Sequence, residues 1–219
     1  MNRLEVARMV DHTVLKPETT IAEVAALCAE AEALGVYAVC VSPTFVLTAR
    51  EHLPGHIAVA TVCGFPSGKH ETSIKAAEAR LSVKQGADEV DMVIDVGQAI
   101  LRDWVAIERD IEAVRTVTDA AVLKVILETA ALDDDQIRQA CLAAARAGAD
   151  FVKTSTGFHP SGGASVHAVQ VMHEAIGTQL SIKASGGIKT WEQASALIDA
   201  GATRLGLSST RAVLDGAPS

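Results

Sequence analysis

The amino-acid sequence predicts an α/β protein, a single (β/α)8 TIM barrel with a short extra helix at its N-terminus. Helical and strand-like segments alternate along the whole chain. The strand-like segments are apolar on both faces, as in a parallel sheet covered by helices. Counting a first strand near residue 10 gives eight strands, and the 219 residues contain no linker or low-complexity segment. We therefore expect one domain over residues 1–219.

An open, doubly wound sheet is the alternative architecture. Such sheets commonly carry a G-x-G-x-x-G turn after the first strand. The segment after residue 12 contains no such turn. The barrel is therefore the preferred interpretation.

Capping boxes and glycines mark the elements in the first half of the chain. A helix is expected within residues 1–10, and the first strand near 10–12. Thr20 and Glu23 form a capping box that opens a helix, and Gly35 ends it in the left-handed conformation. Further strands are predicted at 36–41, 57–62 and 89–94, and further helices at 44–52, 71–84 and 103–117.

The same signals continue to the end of the chain. Gly148 ends a helix over 133–147, and a second capping box joins Thr190 to Gln193. Strands are predicted at 121–127, 150–154, 180–184 and 203–206, and helices at 166–176, from 190 to Gly201, and from Ser208 onward.

Charge and cysteine content narrow the class of partner. The net charge is −8 and no Lys/Arg run occurs, which argues against nucleic acid and acidic membranes as partners. No apolar run approaches the roughly 18 residues of a membrane span. The four cysteines form no C-x-x-C pair, which is typical of a reducing compartment. With no signal peptide expected at the N-terminus, the predicted location is cytoplasmic.

A short internal repeat predicts where the chemistry lies. Four helices end in a glycine that leads directly into a strand, on the second, fourth, sixth and eighth strands. Alternate strands of a barrel supply one interior layer of four side chains. The residues five positions beyond these glycines are Cys40, Asp91, Lys153 and Gly206, and we expect them to share a layer near the carboxyl-terminal mouth. In this layer Lys153 should face Asp91 and Cys40.

Two further lysines, Lys124 and Lys183, lie on the odd-numbered strands, about one βα unit from their neighbours. Lysine is among the residues least often fully buried, and burial pushes its pKa down toward the neutral amine. Each lysine alone could be a strand-end residue that reaches water with its ammonium group. Together with Asp91 they predict a site in the barrel lumen.

This combination indicates Schiff-base chemistry. Two lysines on adjacent strands should suppress each other's protonation, which leaves a nucleophilic amine that can attack a carbonyl. Asp91 and the second lysine would supply the acid and base groups that such a reaction needs.

Glycines and serines after the last strands indicate a phosphate site. The loops after strands 7 and 8 and a short helix N-terminus commonly bind phosphate in barrels. Ordinary turn and cap duty is the alternative explanation for such glycines. We expect the phosphate of a substrate to contact residues from this group: Gly157, Gly186, Gly187, Gly206, Ser208 and Ser209.

Five motifs, in order along the chain, resemble the 2-deoxyribose-5-phosphate aldolase family. They are DHT at 11–13, GADEVDM at 86–92, LKVILET at 123–129, FVKTSTG at 151–157 and IKASGGI at 182–188. The resemblance covers about residues 8–212. It implies a class I aldolase that reversibly converts 2-deoxy-D-ribose 5-phosphate into D-glyceraldehyde 3-phosphate and acetaldehyde. It also implies that no metal or other cofactor takes part.

The resemblance assigns roles by motif. Lys153 would form the Schiff base, Lys183 would perturb it and move protons, and Asp91 would be the acid/base. The resemblance also implies that the glycines and serines named above bind the phosphate. It further implies four supporting residues near the catalytic three: Lys124, Asp11, Cys40 and Thr156. For Cys40, a small buried apolar residue is an equally good interpretation.

The sequence also departs from the family pattern. Some members carry a tail tyrosine, but the tail here is LDGAPS at 214–219 and the only tyrosine is Tyr37. Phe158 and Lys189 stand where some members have lysine and arginine, which bears on phosphate affinity. The expected partners are a small sugar phosphate and acetaldehyde, with a homodimer as the expected assembly. Another Schiff-base aldolase and a non-covalent sugar-phosphate isomerase are the alternatives.

Overall fold

The computed structural model describes residues 1–218 and contains a closed barrel of eight parallel strands in chain order. The predicted (β/α)8 architecture and the short N-terminal helix are confirmed. The strands are β1 Val10–Val14, β2 Ala38–Val41, β3 Ala58–Cys63, β4 Glu89–Val93, β5 Val122–Ile126, β6 Phe151–Lys153, β7 Ser181–Ser185 and β8 Arg204–Leu207.

Helices surround the barrel and cover its outer face. They are α1 Arg3–Ala7, α2 Ile21–Leu34, α3 Val46–His52, α4 Thr72–Lys84, α5 Val96–Ile100, α6 Trp104–Arg115, α7 Asp134–Arg146, α8 Val166–Ile176, α9 Trp191–Asp199 and α10 Thr210–Asp215. Two 3₁₀ turns lie at Pro43–Phe45 and Thr129–Ala131. Within residues 1–218, no helix combines the length and the apolarity needed to cross a lipid bilayer.

The local signals in the sequence form as expected. Thr20 and Glu23 make a reciprocal capping box at the start of α2, and Thr190 and Gln193 make another at α9. Gly35 ends α2 with a φ of 68°, a conformation that costs a residue without Cβ little. The apolar core fills the space between the strands and the helix layer.

Strand register determines which side chains share a level of the lumen. Asp91 on β4 is the pairing partner of Lys124 on β5, and Lys153 on β6 is the partner of Lys183 on β7. Asp11 on β1 pairs with Gly206 on β8. Register alone therefore puts two lysines side by side and a third beside a carboxylate.

Candidate active site

A cavity of about 750 Å³ opens at the carboxyl-terminal mouth of the barrel. Its floor includes Lys153, and its wall includes residues from the loops after β1, β6, β7 and β8. Eight of the thirteen predicted site residues line this cavity: Lys153, Thr156, Gly157, Gly186, Gly187, Gly206, Ser208 and Ser209. The other five, Asp11, Cys40, Asp91, Lys124 and Lys183, are buried in the barrel.

Lys153 is the lysine at the boundary between the buried lumen and the cavity. Its side chain is almost fully buried, and its Nζ donates a hydrogen bond to Asp91 Oδ2 at 2.8 Å. Burial lowers the pKa of Lys153; the Asp91 carboxylate opposes this and the Lys183 ammonium adds to it, leaving a net lowering. Lys153 is thus predisposed to supply a neutral amine next to the cavity.

Asp91 joins the three lysines. Its Oδ2 accepts hydrogen bonds from Lys153 and from Lys183, the latter at 2.7 Å, and its Oδ1 accepts one from Lys124 at 2.6 Å. Burial alone would raise the pKa of Asp91, but the three lysines hold it well below its ordinary value. Asp91 is therefore a carboxylate in the resting site.

The prediction that Lys153 and Lys183 each lower the other's pKa is wrong for Lys183. Burial disfavours the ammonium form of Lys183, but the Asp11 and Asp91 carboxylates outweigh it and raise the pKa of Lys183. Lys183 therefore stays a cation. Of the three lumen lysines, Lys153 alone has a lowered pKa, because burial outweighs the single carboxylate that it contacts and shares with the other two lysines.

Lys124 forms ion pairs with three carboxylates, including Asp11 at 3.6 Å, and does not line the cavity. Its Nζ lies 2.6 Å from both Asp91 Oδ1 and Glu89 Oε2. Burial opposes its charge, but Asp91, Asp11 and Glu89 raise the pKa of Lys124 above its ordinary value. It is a fixed cation beneath Asp91.

Glu89 and Arg204 extend the ionic contacts toward the opposite end of the barrel, and we did not single them out in the sequence. Arg204 Nη1 donates to Asp11 Oδ1 at 2.8 Å and lies 3.1 Å from Glu89 Oε2. Its guanidinium stacks 3.8 Å from the centre of the Tyr37 ring. Both residues stand two positions before Asp91 and Gly206, so the period of a strand puts them on the same inward face. This alternation was the signal that could have found them.

Tyr37 does not occur near the cavity. It packs on Arg204 at the opposite end of the lumen. Of the tail, residues 216–218 follow α10, and Ser219 lies outside the described residues.

Cys40 is fully buried and belongs to a small apolar cluster with Ala60 and Val62. Leu15 and Phe65 pack against this cluster. Burial raises the pKa of the Cys40 thiol, so the thiol is neutral. These surroundings favour the interpretation of Cys40 as a small buried apolar residue.

Glu128 is a third residue that we did not single out in the sequence. It follows β5 with a left-handed φ of 58° and is buried. Its carboxylate accepts hydrogen bonds from the backbone N–H and the hydroxyl of Thr156. The Thr156 hydroxyl in turn accepts one from Phe158 N–H at 3.1 Å. Glu128 thereby orders the turn that contains Gly157, and its position in the LKVILET motif was the available signal.

Two of the glycines are needed for space. A Cβ on Gly186 would lie 3.1 Å from the Gly163 Cα and 3.2 Å from the Gly157 Cα, so three glycines allow the loops after β6 and β7 to touch. A Cβ on Gly206 would lie 3.1 Å from Lys183 Cε. Gly206 thus makes room for the Lys183 side chain as well as lining the cavity.

His12 is a buried histidine beside the cavity. It lies on β1, is nearly buried, and bonds Thr210 Oγ1 at 2.7 Å and Glu30 Oε2 at 3.2 Å. Burial lowers the pKa of His12, although Glu30 partly opposes this. Among residues 1–218, no three His, Cys, Asp or Glu side chains come together as ligands for a metal ion.

The chain is similar in sequence to a family of aldolases over nearly its whole length. Residues 5–216 match the DeoC/LacD family aldolase. A deoxyribose-phosphate aldolase of Nocardia farcinica is 62% identical over 218 residues, covering 99% of this chain and 96% of that protein. One from Kocuria rhizophila is 58% identical over 217 residues, covering 99% and 98%.

Solved structures agree with this assignment. An aldolase designated QR15 superimposes with a TM-score of 0.92 at 36% identity, covering 96% of this chain and 94% of that one. A deoxyribose phosphate aldolase from Aeropyrum pernix, described as a unique tetramer, gives a TM-score of 0.89 at 30% identity, covering 98% and 91%.

Proposed function

The chain belongs to the DeoC/LacD family of aldolases, and on that premise we propose that it is a class I deoxyribose-phosphate aldolase. The proposed reaction is the reversible cleavage of 2-deoxy-D-ribose 5-phosphate to D-glyceraldehyde 3-phosphate and acetaldehyde. The observation that carries the proposal is a lysine with a lowered pKa, Lys153, at the floor of the cavity. The names of the relatives support the choice of substrate.

In the proposed mechanism, the Lys153 amine attacks the C1 aldehyde of the open-chain substrate. The carbonyl oxygen takes up protons and leaves as water, which gives an iminium ion. A base then removes the proton of the C3 hydroxyl, the C2–C3 bond breaks, and its electron pair enters the iminium as an enamine. Glyceraldehyde 3-phosphate leaves; protonation at C2 and hydrolysis then release acetaldehyde and restore Lys153.

The proton transfers are proposed for Asp91 and Lys183. The Asp91 carboxylate touches both Lys153 and Lys183, so it can accept a proton near the substrate while Lys183 donates one. Lys183 also disfavours a second ammonium at Lys153. Lys124 and Asp11 are proposed to support this pair by holding Asp91 and Lys183 respectively.

The phosphate is proposed to occupy the wall of the cavity formed by the loops after β6, β7 and β8. Gly157 and Gly186 approach each other there, and the backbone N–H groups of these loops are proposed as hydrogen-bond donors to the phosphate. Ser208 and Ser209 add hydroxyl groups at the start of α10. The aromatic ring of Phe158 supplies no cation where some members have lysine, and it packs edge-on against Phe65, with 5.3 Å between the ring centres.

The proposal requires no metal or other cofactor, because the iminium ion formed on Lys153 provides the electron sink. A single catalytic domain over 1–219, a homodimer and a cytoplasmic location remain part of the proposal. Another Schiff-base aldolase would use the same amine with a different aldehyde, whereas a sugar-phosphate isomerase would form no adduct.

The test is mass spectrometry after borohydride reduction in the presence of acetaldehyde. We expect an ethyl group on the peptide that contains Lys153, and cleavage of deoxyribose 5-phosphate by the same preparation. Lys153→Ala should abolish both, whereas Lys84→Ala, at an exposed lysine on α4, should alter neither. An unmodified Lys153, or near-normal turnover by Lys153→Ala, would contradict the proposal.

A further inference from the structure

Six buried side chains beneath Lys153 form a closed ring in which carboxylates and cations alternate. We call them the charge ring. Its contacts run from Asp91 to Lys124 at 2.6 Å, to Glu89 at 2.6 Å, to Arg204 at 3.1 Å, to Asp11 at 2.8 Å, to Lys183, and back to Asp91 at 2.7 Å.

The charge ring is isolated from water. None of its members is more than 7% exposed, and they come from five different strands: β1, β4, β5, β7 and β8. Arg204 closes the lower end, where its guanidinium lies 3.8 Å from the centre of the Tyr37 ring and 5.3 Å from the centre of the Phe151 ring. Charges in such surroundings are weakly screened, so their balance matters over longer distances than at the surface.

The ring is electrically neutral without Lys153. It contains three carboxylates, Asp11, Glu89 and Asp91, and three cations, Lys124, Lys183 and Arg204. Lys153 bonds to the ring only through Asp91, among the contacts of residues 1–218. A proton on Lys153 would therefore add one positive charge that no carboxylate of the ring balances, and an uncompensated buried charge is costly.

We infer that Glu89 and Arg204, which reach Asp91 and Lys153 only through other ring members, are positioning residues that keep Lys153 nucleophilic by completing the neutral ring. This inference rests on the proposed function, because it concerns the amine that forms the Schiff base. It goes beyond the influence of Lys183 on Lys153, since it attributes the low proton affinity of Lys153 to the net charge of the whole ring.

The other groups around Lys153 do not supply the balance. Glu128, on the loop after β5, is a buried carboxylate that bonds Thr156, and it forms no ion pair with Lys153 among the described residues. Asp91 on β4 accepts a hydrogen bond from Lys153, and Lys183 on β7 is its strand-pairing partner; both are ring members. Lys124 on β5 and Asp11 on β1 belong to the ring too. Cys40 on β2 has a thiol that burial keeps neutral, as its raised pKa indicates.

The charge of the ring can be altered at its far end without touching Lys153. Arg204→Gln leaves the ring with one excess negative charge, which favours the Lys153 ammonium. Glu89→Gln leaves one excess positive charge, which favours the neutral amine. A unit charge about 10 Å away, in a medium with an effective dielectric constant of about 20, alters a pKa by about one unit. The two variants should therefore shift Lys153 in opposite directions.

The measurement is the rate at which cyanoborohydride traps the acetaldehyde adduct on Lys153, followed from about pH 5 to pH 9. The midpoint of the acid limb should move up by about one unit in Arg204→Gln and down by about one unit in Glu89→Gln. The double variant Glu89→Gln/Arg204→Gln, again neutral, should return close to the wild-type midpoint. Loss of packing would lower all rates without this opposite pair of shifts.

A control variant separates charge from fold. Arg204→Lys keeps the positive charge and loses most of the stacking on Tyr37, so its midpoint should stay near that of the wild type even if its melting temperature falls. If Arg204→Gln does not fold, the downward shift in Glu89→Gln and the unchanged midpoint in Arg204→Lys still decide the question.

Two kinds of failure are distinguishable. If the wild-type protein forms no adduct on Lys153, the proposed function fails. If the wild type forms the adduct but Glu89→Gln and Arg204→Gln shift in the same direction or not at all, or the double variant is not restored, only the ring inference is overturned.

Discussion

Thr156 links a buried carboxylate to the wall of the cavity. Its hydroxyl donates to Glu128 and accepts from the Phe158 N–H, so it fixes the turn on both sides of Gly157. Glu128 holds a left-handed φ at a non-glycine position, a conformation that persists only where surrounding contacts support it. Removing the hydroxyl would leave a buried acceptor with one partner fewer, at a cost of about 1–3 kcal/mol.

We therefore predict that Thr156→Val weakens the binding of the phosphorylated substrate. The KM for deoxyribose 5-phosphate should rise about tenfold, equivalent to about 1.4 kcal/mol of binding free energy. Trapping of acetaldehyde alone on Lys153 should change little, because acetaldehyde has no phosphate. Thr156→Ser keeps the hydroxyl and should behave as the wild type in steady-state kinetics. Equal KM values for the valine and serine variants would contradict this role.

Single residues show how far the sequence could be interpreted. The position five residues after each helix-ending glycine predicted that Lys153 faces Asp91, and the two are hydrogen-bonded. The position three residues after the same glycines contains Glu89 and Arg204, which contact each other. Their partners lie on strands distant in sequence. A charged residue at a strand start is usually solvated, so the alternation of the strand identifies them as buried only when it is combined with the closure of the barrel.

At the scale of elements, the loops after β6 and β7 behave as one wall. Ala164 N–H donates to the Ser185 and Gly186 carbonyl groups at 3.1 Å and 3.0 Å. The preceding residue, Gly163, lies so close that a Cβ on it would be 2.2 Å from the Gly186 oxygen. An added methyl group must therefore push the two loops apart.

Gly163→Ala should consequently impair phosphate binding without harming the amine. We expect the KM for deoxyribose 5-phosphate to rise about tenfold or more, about 1.4 kcal/mol, with the lumen contacts of Lys153 unchanged. The matched control is Gly55→Ala, where an added Cβ meets nothing within 4 Å. Comparison of KM and of the acetaldehyde trapping rate would check this. An unchanged KM in Gly163→Ala would show that the contact between the two loops does not contribute to binding of the phosphorylated substrate.

The elements that the sequence did not predict are short. Helix α5, Val96–Ile100, precedes the predicted helix at 103–117, and Asp95 caps it by accepting from Gln98 N–H. Five residues cover little more than one turn, too short to show a helical period. The 3₁₀ turn Thr129–Ala131 depends on the left-handed Glu128, a conformation that the sequence of a non-glycine residue does not reveal. Long helices with capping boxes were predictable because their signals are local.

For the molecule as a whole, the unusual feature is a charged lumen. Barrel interiors are commonly filled by branched aliphatic side chains, whereas here ion pairs connect five of the eight strands. Burial alone would raise the pKa of Asp11, but Lys183, Lys124 and Arg204 outweigh it and hold that pKa well below the ordinary value. Asp11 therefore contributes stability above its unfolded pKa of about 3.9, and this contribution is lost as the pH falls toward its folded pKa.

Asp11→Asn should therefore destabilise the fold in a pH-dependent way. At pH 7 we expect a loss of about 3–5 kcal/mol in the free energy of unfolding, because removing one partner leaves buried cations uncompensated. Between pH 5 and pH 3 the difference from the wild type should narrow by about 1 kcal/mol, as the folded protein's ionised Asp11 loses its advantage. Urea unfolding at each pH measures this, with Glu51→Gln, at an exposed carboxylate on α3, as the control that should follow the wild type. A difference independent of pH would mean that Asp11 stabilises the barrel by packing and not by charge.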